Sequence, residues 1–291
     1  MKPPIFDYVA ATSIDMAVAA LAAAGGDAKV LAGGQSLVPM LNFRLLRPSV
    51  LVDINRIAGL AYIEEDKVAI RIGALTRHLQ IETSPLIAKY FPVVSAAMTH
   101  VAHLAIRNRG TIGGSLSHAD PAAELPMLAS LLDAEFKVVS ASGQRSVAAR
   151  DFFLDALTVD LRADELLTEI VLPKLPPHTG FGFEEVARRH GDFALTAVAT
   201  TLTVDGDVIN QARIALGGVG PTALRASEAE KLLIGHALDD GLTERAVTAV
   251  RSAIAPETDL HASADYRRHL AGVLTGRALA TAWQRANTGA A

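Results

Sequence analysis

The apolar and polar positions of the first third of the chain predict a compact α/β unit. Ser13 can cap a helix over 14–23, in which apolar side chains recur at helical spacing. The apolar runs 28–32 and 50–54 have the length of strands, and Leu37 begins a second amphipathic stretch between them. The order helix, strand, tight turn, helix and strand fills about 55 residues.

The middle of the chain is more mixed, and it ends at a proline-rich segment over 173–177 that resembles a linker. The predicted helix over 92–105 would carry His100 and His103. The patterns predict strands at 67–72, 135–140 and 164–172, and helices at 76–84, 92–105 and 125–132.

The last third changes character. Two strand-like runs, 194–204 and 211–216, flank Asp205-Gly206-Asp207, which is a hairpin signal. Helical patterns then cover 229–238, 243–254 and 266–286. We therefore predict an α+β protein with three parts: 1–55 and 56–176 as two α/β subdomains, and 177–291 as a C-terminal α+β domain with a small antiparallel sheet followed by helices.

The composition excludes several kinds of site and argues against one class of function. The chain has 291 residues, 27 basic and 31 acidic side chains, a net charge of −4 and no cysteine, and half of its residues are apolar. The apolar fraction favours a folded core, and the net charge argues against nucleic-acid binding as the main role. Without cysteine the chain can form no disulfide and can ligate no iron–sulfur cluster.

The sequence predicts no membrane span. No apolar run reaches the roughly 18 residues that a bilayer crossing needs. The N-terminal residues show no apolar stretch of signal-peptide length. We expect a cytoplasmic protein, with peripheral attachment to a membrane through a complex left open.

Two glycine pairs are the main candidates for a binding site. Gly33-Gly34 follows a predicted strand and precedes a helix, and Gly113-Gly114 lies in Thr111–Ser115. Because glycine lets a ligand approach the main chain, consecutive amides there can converge on an oxyanion. Two such steps would suit a pyrophosphate, and a Cβ at Gly33 or Gly114 would occupy the space of the anion. The alternative is that each pair is only a turn, and neither pair forms a dinucleotide fingerprint or a P-loop.

Acidic and aromatic side chains near the second glycine pair and beyond it have alternative roles. Asp120 and Glu124 can accept hydrogen bonds from ribose or ribityl hydroxyls, or can serve as a helix cap and a first-turn acid. Phe193 can cover a flat ring, but composition alone favours a place in the core. The histidines show no zinc-helix spacing, and no catalytic triad or metal site is predicted.

Several motifs in order resemble one family. The chain is similar to the FAD-binding medium subunit of the molybdenum hydroxylases, the xanthine dehydrogenase family, and especially to the medium subunit of aerobic carbon monoxide dehydrogenases. The likeness runs from Phe6 to about Ala286. The matching motifs are Ala32–Ser36, Thr111–Ser115, His118–Glu124, Asp164–Ile170, Arg189–Ala194, Gly217–Thr222 and Ala264–Arg267.

The resemblance implies a vanillyl-alcohol-oxidase/PCMH-type FAD-binding fold with non-covalent FAD. It implies that two segments hold the pyrophosphate and the ribityl chain through amides and hydroxyls: Val30, Leu31, Ala32, Gly33, Gly34, Gln35, Ser36 and Leu37, and Thr111, Ile112, Gly113, Gly114 and Ser115. Glu124, with Asp120 beside it, matches a carboxylate that contacts the flavin nucleotide. Leu167 matches an apolar contact, and Phe193 matches an aromatic position near the isoalloxazine where many relatives carry tyrosine.

The same resemblance implies a role in electron transfer, with no catalytic side chain. A large subunit would carry the molybdenum cofactor and a small subunit the 2Fe–2S clusters, in a dimer of heterotrimers. The FAD of this subunit would take electrons from those clusters and pass them to an external acceptor: a quinone, NAD or a cytochrome. Two other readings stay open, a free-standing FAD oxidase of the same fold and a scaffold protein that binds no flavin.

Overall fold

A computed structural model gives the positions of residues 2–288. The first region forms a parallel three-stranded sheet, and Ser13 caps the first helix as predicted, accepting a hydrogen bond from the Met16 N–H at 3.1 Å. Its elements are β1 (Asp7–Ala10), α1 (Ile14–Ala23), β2 (Ala28–Leu31), α2 (Leu37–Asn42) and β3 (Val50–Asp53). The strand order is β1–β3–β2, and both outer strands run parallel to β3.

The second region contains a larger antiparallel sheet surrounded by short helices. Its elements are β4 (Ile63–Glu65), β5 (Ala69–Gly73), α3 (His78–Glu82), α4 (Pro85–Tyr90), α5 (Pro92–Met98), α6 (Leu104–Arg107), α7 (Ile112–His118), α8 (Glu124–Leu131), β6 (Glu135–Ser140), β7 (Gly143–Ala148), α9 (Ala149–Phe152), β8 (Phe153–Asp155), β9 (Thr158–Val159) and β10 (Leu166–Pro173). The order β4–β5–β10–β6–β7 places β10 in the centre, and β8 and β9 form a separate ribbon. Buried helices pack on this sheet, with α8 buried along its whole length.

The third region is an antiparallel sheet of long strands followed by helices. Its elements are β11 (Thr179–Ala187), β12 (Ala194–Asp205), β13 (Val208–Gly217), β14 (Leu224–Arg225), α10 (Ser227–Leu233), α11 (Asp240–Ala253) and α12 (Ala264–Thr288). The strands follow one another in chain order, and the predicted hairpin between β12 and β13 is confirmed, with Gly206 at φ +58°.

Two glycines let α12 lie directly on β11. A Cβ at Gly180 would run into the backbone oxygen of Ala282, and one at Gly182 would run into that of Ala278. Thr200 on β12 adds a hydrogen bond from its hydroxyl to the Ala278 oxygen, at 3.1 Å. The long helix is therefore held against the sheet by backbone contact as well as by apolar packing.

The predicted helix over 92–105 is wrong in its second half. Helix α5 ends at Met98, and both His100 and His103 lie in the loop that leads to α6. Ala102 in this loop has φ +47°, which an α-helix does not tolerate. The side chain of Arg107 stabilises the loop by donating to the carbonyl oxygens of Val101 and Ala102 at 2.9 and 3.0 Å.

Candidate functional site

The loop between β2 and α2 exposes a run of backbone donors. Among residues 2–288, no protein acceptor bonds the N–H groups of the five consecutive residues 33–37. Gly34 has φ +75°, a backbone conformation that glycine adopts without strain. The amide of Gln35 folds back instead, and its side-chain N–H donates to the Gly33 oxygen at 2.9 Å. A loop of unpaired N–H groups beside a glycine can bind an anion.

The first glycine loop packs against the segment that precedes the second glycine pair. A Cβ on Gly33 would lie 2.9 Å from the Cα of Gly110 and closer still to the carbonyl oxygen of Arg109. The glycine at position 33 is therefore required by a facing backbone, in addition to the space that a bound anion would need. A Cβ on Gly114 would meet the Thr111 hydroxyl oxygen at 2.8 Å and Ala32 at 4.0 Å, so the two glycine steps are neighbours.

Arg77 connects both loops. One of its guanidinium N–H groups donates to the carbonyl oxygen of Arg109, and another donates to Asn55 Oδ1 at 2.8 Å. Asn55 in turn donates to the Ala32 oxygen at 2.8 Å. Burial, followed by the nearby charge of Arg109, lowers the pKa of Arg77. Within residues 2–288 no carboxylate bonds this guanidinium directly, and only the nearby charge of Asp53 opposes it, so a bound anion would meet a partly compensated positive charge here.

The second glycine pair does not form the predicted amide nest. Gly113 and Gly114 lie in the first turn of α7 rather than in a sharp turn. Their amides already have partners: Gly113 donates to the Ala74 oxygen at 2.9 Å, and Gly114 donates to Thr111 Oγ1 at 3.1 Å. A Cβ on Gly113 would lie 2.6 Å from that of Ala74, so this glycine serves close packing. The prediction that its amides converge on a phosphate is wrong.

A cleft of about 850 Å³ lies between residues of the second and third regions, and neither glycine segment is part of its lining. Asp120 lines one wall and Phe193 another, and the lining also contains both charge signs, with Arg188, Asp155 and Asp192 among them. Phe193 is 58% exposed, so its assignment to the core, which composition favoured, is wrong. Asp120 does not cap α8, because its Oδ1 accepts from the Ala122 N–H at 2.9 Å in a turn before the helix.

Glu124 and Leu167 are both buried. Glu124 is the first residue of α8 and is only 5% exposed, and burial, followed by repulsion from Glu185, raises the pKa of its carboxyl group to about 8. Leu167 lies on β10 inside the core of the second region. A neutral, buried acid beside the cleft can donate a hydrogen bond as well as accept one.

Comparison with known proteins decides the family. The family described as FAD binding domain in molybdopterin dehydrogenase matches residues 4–175, and the one described as CO dehydrogenase flavoprotein C-terminal domain matches residues 181–282. The chain belongs to this family of FAD-binding molybdopterin dehydrogenase subunits. The resemblance seen in the motifs and the predicted fold class are both confirmed.

Members of the family are similar over nearly their whole length. The chain is 45% identical to the 6-hydroxypseudooxynicotine dehydrogenase complex subunit alpha of Paenarthrobacter nicotinovorans, over 98% of this chain and 97% of the relative. The solved carbon monoxide dehydrogenase of Hydrogenophaga pseudoflava that lacks the Mo-pyranopterin moiety of the molybdenum cofactor gives a TM-score of 0.96 at 39% identity, covering 98% of this chain and 99% of that one. Quinoline 2-oxidoreductase from Pseudomonas putida 86 gives 0.94 at 40%, covering 99% and 100%.

The family assignment makes the chain an FAD-binding oxidoreductase subunit. The residues present fit such a cofactor, because the loop over 33–37 offers free N–H donors next to the Arg77 guanidinium, which forms no ion pair within residues 2–288. Across residues 2–288, no helix combines the length and the apolar character that crossing a bilayer requires. Sequence reasoning missed Arg77 and Asn55, since neither stands in a glycine motif, and only the fold brings them to the loop.

Proposed function

We propose that the chain is the electron-transferring flavoprotein subunit of a heterotrimeric molybdenum-dependent dehydrogenase or hydroxylase. The observation that carries the proposal is the run of unpaired amides over 33–37, closed on one side by the backbone of Arg109 and Gly110. Family membership supports the subunit role. The free-standing oxidase and the flavin-free scaffold become outcomes of the test below.

In the proposed binding mode the pyrophosphate lies at the loop over 33–37, and the ring system lies toward the cleft. The amides of the segment Val30–Leu37 would hold the pyrophosphate, with Arg77 supplying the positive charge that a diphosphate needs. Thr111–Ser115 would contribute through the free hydroxyl of Ser115 and through packing, since its amides are engaged.

The ring system would lie toward the cleft. Phe193 would cover one face of the isoalloxazine, while Asp120 and Glu124 would take polar groups of the flavin nucleotide. Leu167 is fully packed in the core, so its part would be to support the pocket from behind. Phenylalanine offers no hydroxyl, so its contribution is confined to packing.

The bound flavin would supply the exchange between one-electron and two-electron carriers. The side chains and amides of this chain bind the cofactor, orient its ring and tune its potential through the charges around it. The 2Fe–2S clusters and the molybdenum cofactor would belong to partner subunits, because a chain without cysteine cannot ligate the clusters. Electrons would leave to an external acceptor.

The test is a visible spectrum of the purified chain, alone and with its co-expressed partner subunits. We expect flavin bands that acid releases as FAD, and bleaching of those bands by the substrate of the complex only when the partners are present. Bleaching of the isolated chain by an organic substrate would support the free-standing oxidase instead. A complex that stays colourless would refute the flavoprotein function.

Two arginine variants test the binding mode within the same preparation. Arg77→Gln should weaken FAD binding by about tenfold or more, because charge-assisted hydrogen bonds contribute about 1.5–3 kcal/mol. Arg150→Gln is the control, since that side chain is exposed and its ion-pair partner is Asp151 rather than a group of either glycine loop. Equal FAD affinities for the two variants would contradict the placement of the pyrophosphate.

A further inference from the structure

Two buried carboxyl groups from different regions lie close enough for their charges to interact. Glu124 begins α8 and is 5% exposed, and the side chain of Glu185 on β11 is 2% exposed. Glu185 Oε1 lies 3.6 Å from His100 Nδ1, while its Oε2 has no hydrogen-bond partner within residues 2–288. An unpartnered carboxylate oxygen this deeply buried is costly.

The charges around this pair do not neutralise it. Asp120 and Glu184 add negative charge from the turn before α8 and from β11. His100 is the basic group in contact, and the ring of His190 stacks near it at 6.2 Å. No lysine or arginine within residues 2–288 forms an ion pair with Glu124 or Glu185. The surplus of carboxyl groups means that the cluster must hold protons at neutral pH.

The titration of the two contacting groups agrees with this surplus. Burial and then repulsion from Glu185 raise the pKa of Glu124 to about 8. Contact with the Glu185 carboxylate raises the pKa of His100 as well. A buried acid that is repelled by a second buried carboxylate costs stability compared with an apolar residue of the same size, and such arrangements concentrate at functional sites. No group of side chains within residues 2–288 is placed to hold a metal ion, so a metal does not explain the cluster.

The cluster is open to solvent at His100, and the chain segment just before Glu124 lines the cleft. His100 has a side chain that is 37% exposed, and it contacts Glu185 on its inner side. The segment Asp120–Ala122, which leads directly into Glu124, lines the cleft, and the loop that carries His190 lines it from the opposite side together with Phe193. Glu124 itself is not part of the cleft wall, but it lies two residues after Ala122, which is. A proton that enters at His100 can therefore pass through Glu185 to Glu124, directly behind this part of the wall.

We propose that Glu124, Glu185 and His100 form a proton-holding site that supplies a proton to the bound flavin when it is reduced, with Glu124 as the donor and His100 as the entry from solvent. The inference rests on the proposed function. In the step, the O–H bond of the Glu124 carboxyl group breaks and an N–H bond forms on the isoalloxazine. The two electrons come from the iron–sulfur clusters of a partner subunit, and the Glu124 carboxylate regains a proton from water through His100.

The first arm of the test needs no cofactor. Infrared spectra of the full-length apo chain across the neutral range should show the carbonyl stretch of a protonated carboxyl group. That band should be absent in Glu124→Gln and present in Glu184→Gln, the matched control from the same cluster. Absence of the band from the wild-type chain at neutral pH would overturn the proton-holding site, whatever the state of the flavin.

The second arm uses the FAD-loaded complex and follows the rate of flavin reduction against pH. We expect a break in the wild-type profile on the alkaline side of neutrality, loss of this break in Glu124→Gln, and slower reduction in His100→Gln. Glu185→Gln should move the break to lower pH by about one unit or more, because it removes the repulsion that raises the pKa of Glu124. A purely structural role of Glu185 would not shift the break.

The outcomes separate the two proposals. A band in the apo chain together with an unchanged pH profile in Glu124→Gln, at full FAD content, would overturn the donor role. Failure of the wild-type complex to bind FAD would refute the proposed function and with it the donor role, while the infrared arm would still decide whether the site holds a proton. Should Glu124→Gln fold poorly, the shift expected in Glu185→Gln keeps the donor role open to refutation.

Discussion

Replacing Gly33 with alanine tests how closely the two loops of the candidate site depend on each other. The added Cβ would lie 2.9 Å from Gly110 Cα, whereas ordinary contacts of a Cβ begin at 3.4 Å. The obstacle is backbone on both sides, so no side-chain rotation relieves it. The carbonyl oxygen of Arg109 would be nearer still, so one loop must move by about one ångström, and overpacking of this kind costs about 1–3 kcal/mol.

The facing loop cannot yield freely. The Gly110 N–H donates to the Ile106 oxygen at 2.7 Å, and the Gly110 oxygen accepts from the His78 N–H at 3.0 Å. Arg77 also holds the Arg109 oxygen. The displacement should therefore fall on the 33–37 amides, and FAD affinity should drop by about 10- to 100-fold, since each 1.4 kcal/mol is a factor of about ten.

The assay is a fluorescence titration of the apo chain with FAD, paired with urea unfolding. Gly276→Ala on α12 is the matched control, because its Cβ would lie 3.8 Å from Thr243 and 3.9 Å from Val247 in ordinary contact. We expect the control to stabilise the chain by about 0.5–1 kcal/mol and to leave FAD affinity unchanged. Wild-type FAD affinity and stability in Gly33→Ala would refute the reasoning.

Three further predictions use other parts of the chain. Phe193→Ala should barely change stability, since the side chain is 58% exposed, but should weaken FAD binding by about 2- to 10-fold through lost ring stacking, as measured by the same titration. The free energy of unfolding of the apo chain should fall as pH rises from about 5 to about 9. The reason is that the pKa of Glu124 is about 8 in the folded chain and lower in the unfolded chain. Its contribution to the free energy of unfolding is complete below the unfolded pKa and is lost above the folded pKa, a change of at most about 5 kcal/mol. Urea midpoints across this range should flatten in Glu124→Gln, and an unchanged slope would contradict the assignment. Arg145→Gln should cost about 3 kcal/mol in urea unfolding, because it strands the buried carboxylate of Glu165. The exposed Arg150→Gln should cost less than about 0.5 kcal/mol, and equal losses would show that burial is irrelevant.

The sequence predicts correctly those helices, strands and turns that depend on neighbouring residues alone. The Ser13 cap, the strand over 135–140 and the hairpin at Gly206 follow from spacing, capping and turn chemistry, and the structure has them. Strand β11 was not predicted, because Gly180 and Gly182 remove the alternation of side chains that identifies a strand. Glycine is needed at both positions because the backbone of α12, which is distant in the sequence, packs against them.

The candidate site was predictable only in part, for a related reason. The first glycine pair was found because a strand, a glycine turn and a helix start are adjacent in sequence. The second glycine pair resembles the first in sequence, yet its N–H groups already donate to Ala74 and Thr111. Ala74 is distant in the sequence, so only the folded chain shows that it is a partner. Arg77 and Glu185 owe their roles to neighbours on other elements, so no local motif marks them.

The contact of α12 with Gly180 and Gly182 limits how far the backbone of β11 can move when the charge of a nearby side chain changes. Glu185 lies on the same strand, three residues beyond Gly182, so β11 cannot shift in response to charge without lifting a 25-residue helix. A change of charge between Glu124 and Glu185 must then be met by gain or loss of a proton, because the frame is stiff. We expect the backbone of β11 to keep the same geometry whether the cluster is protonated or ionised.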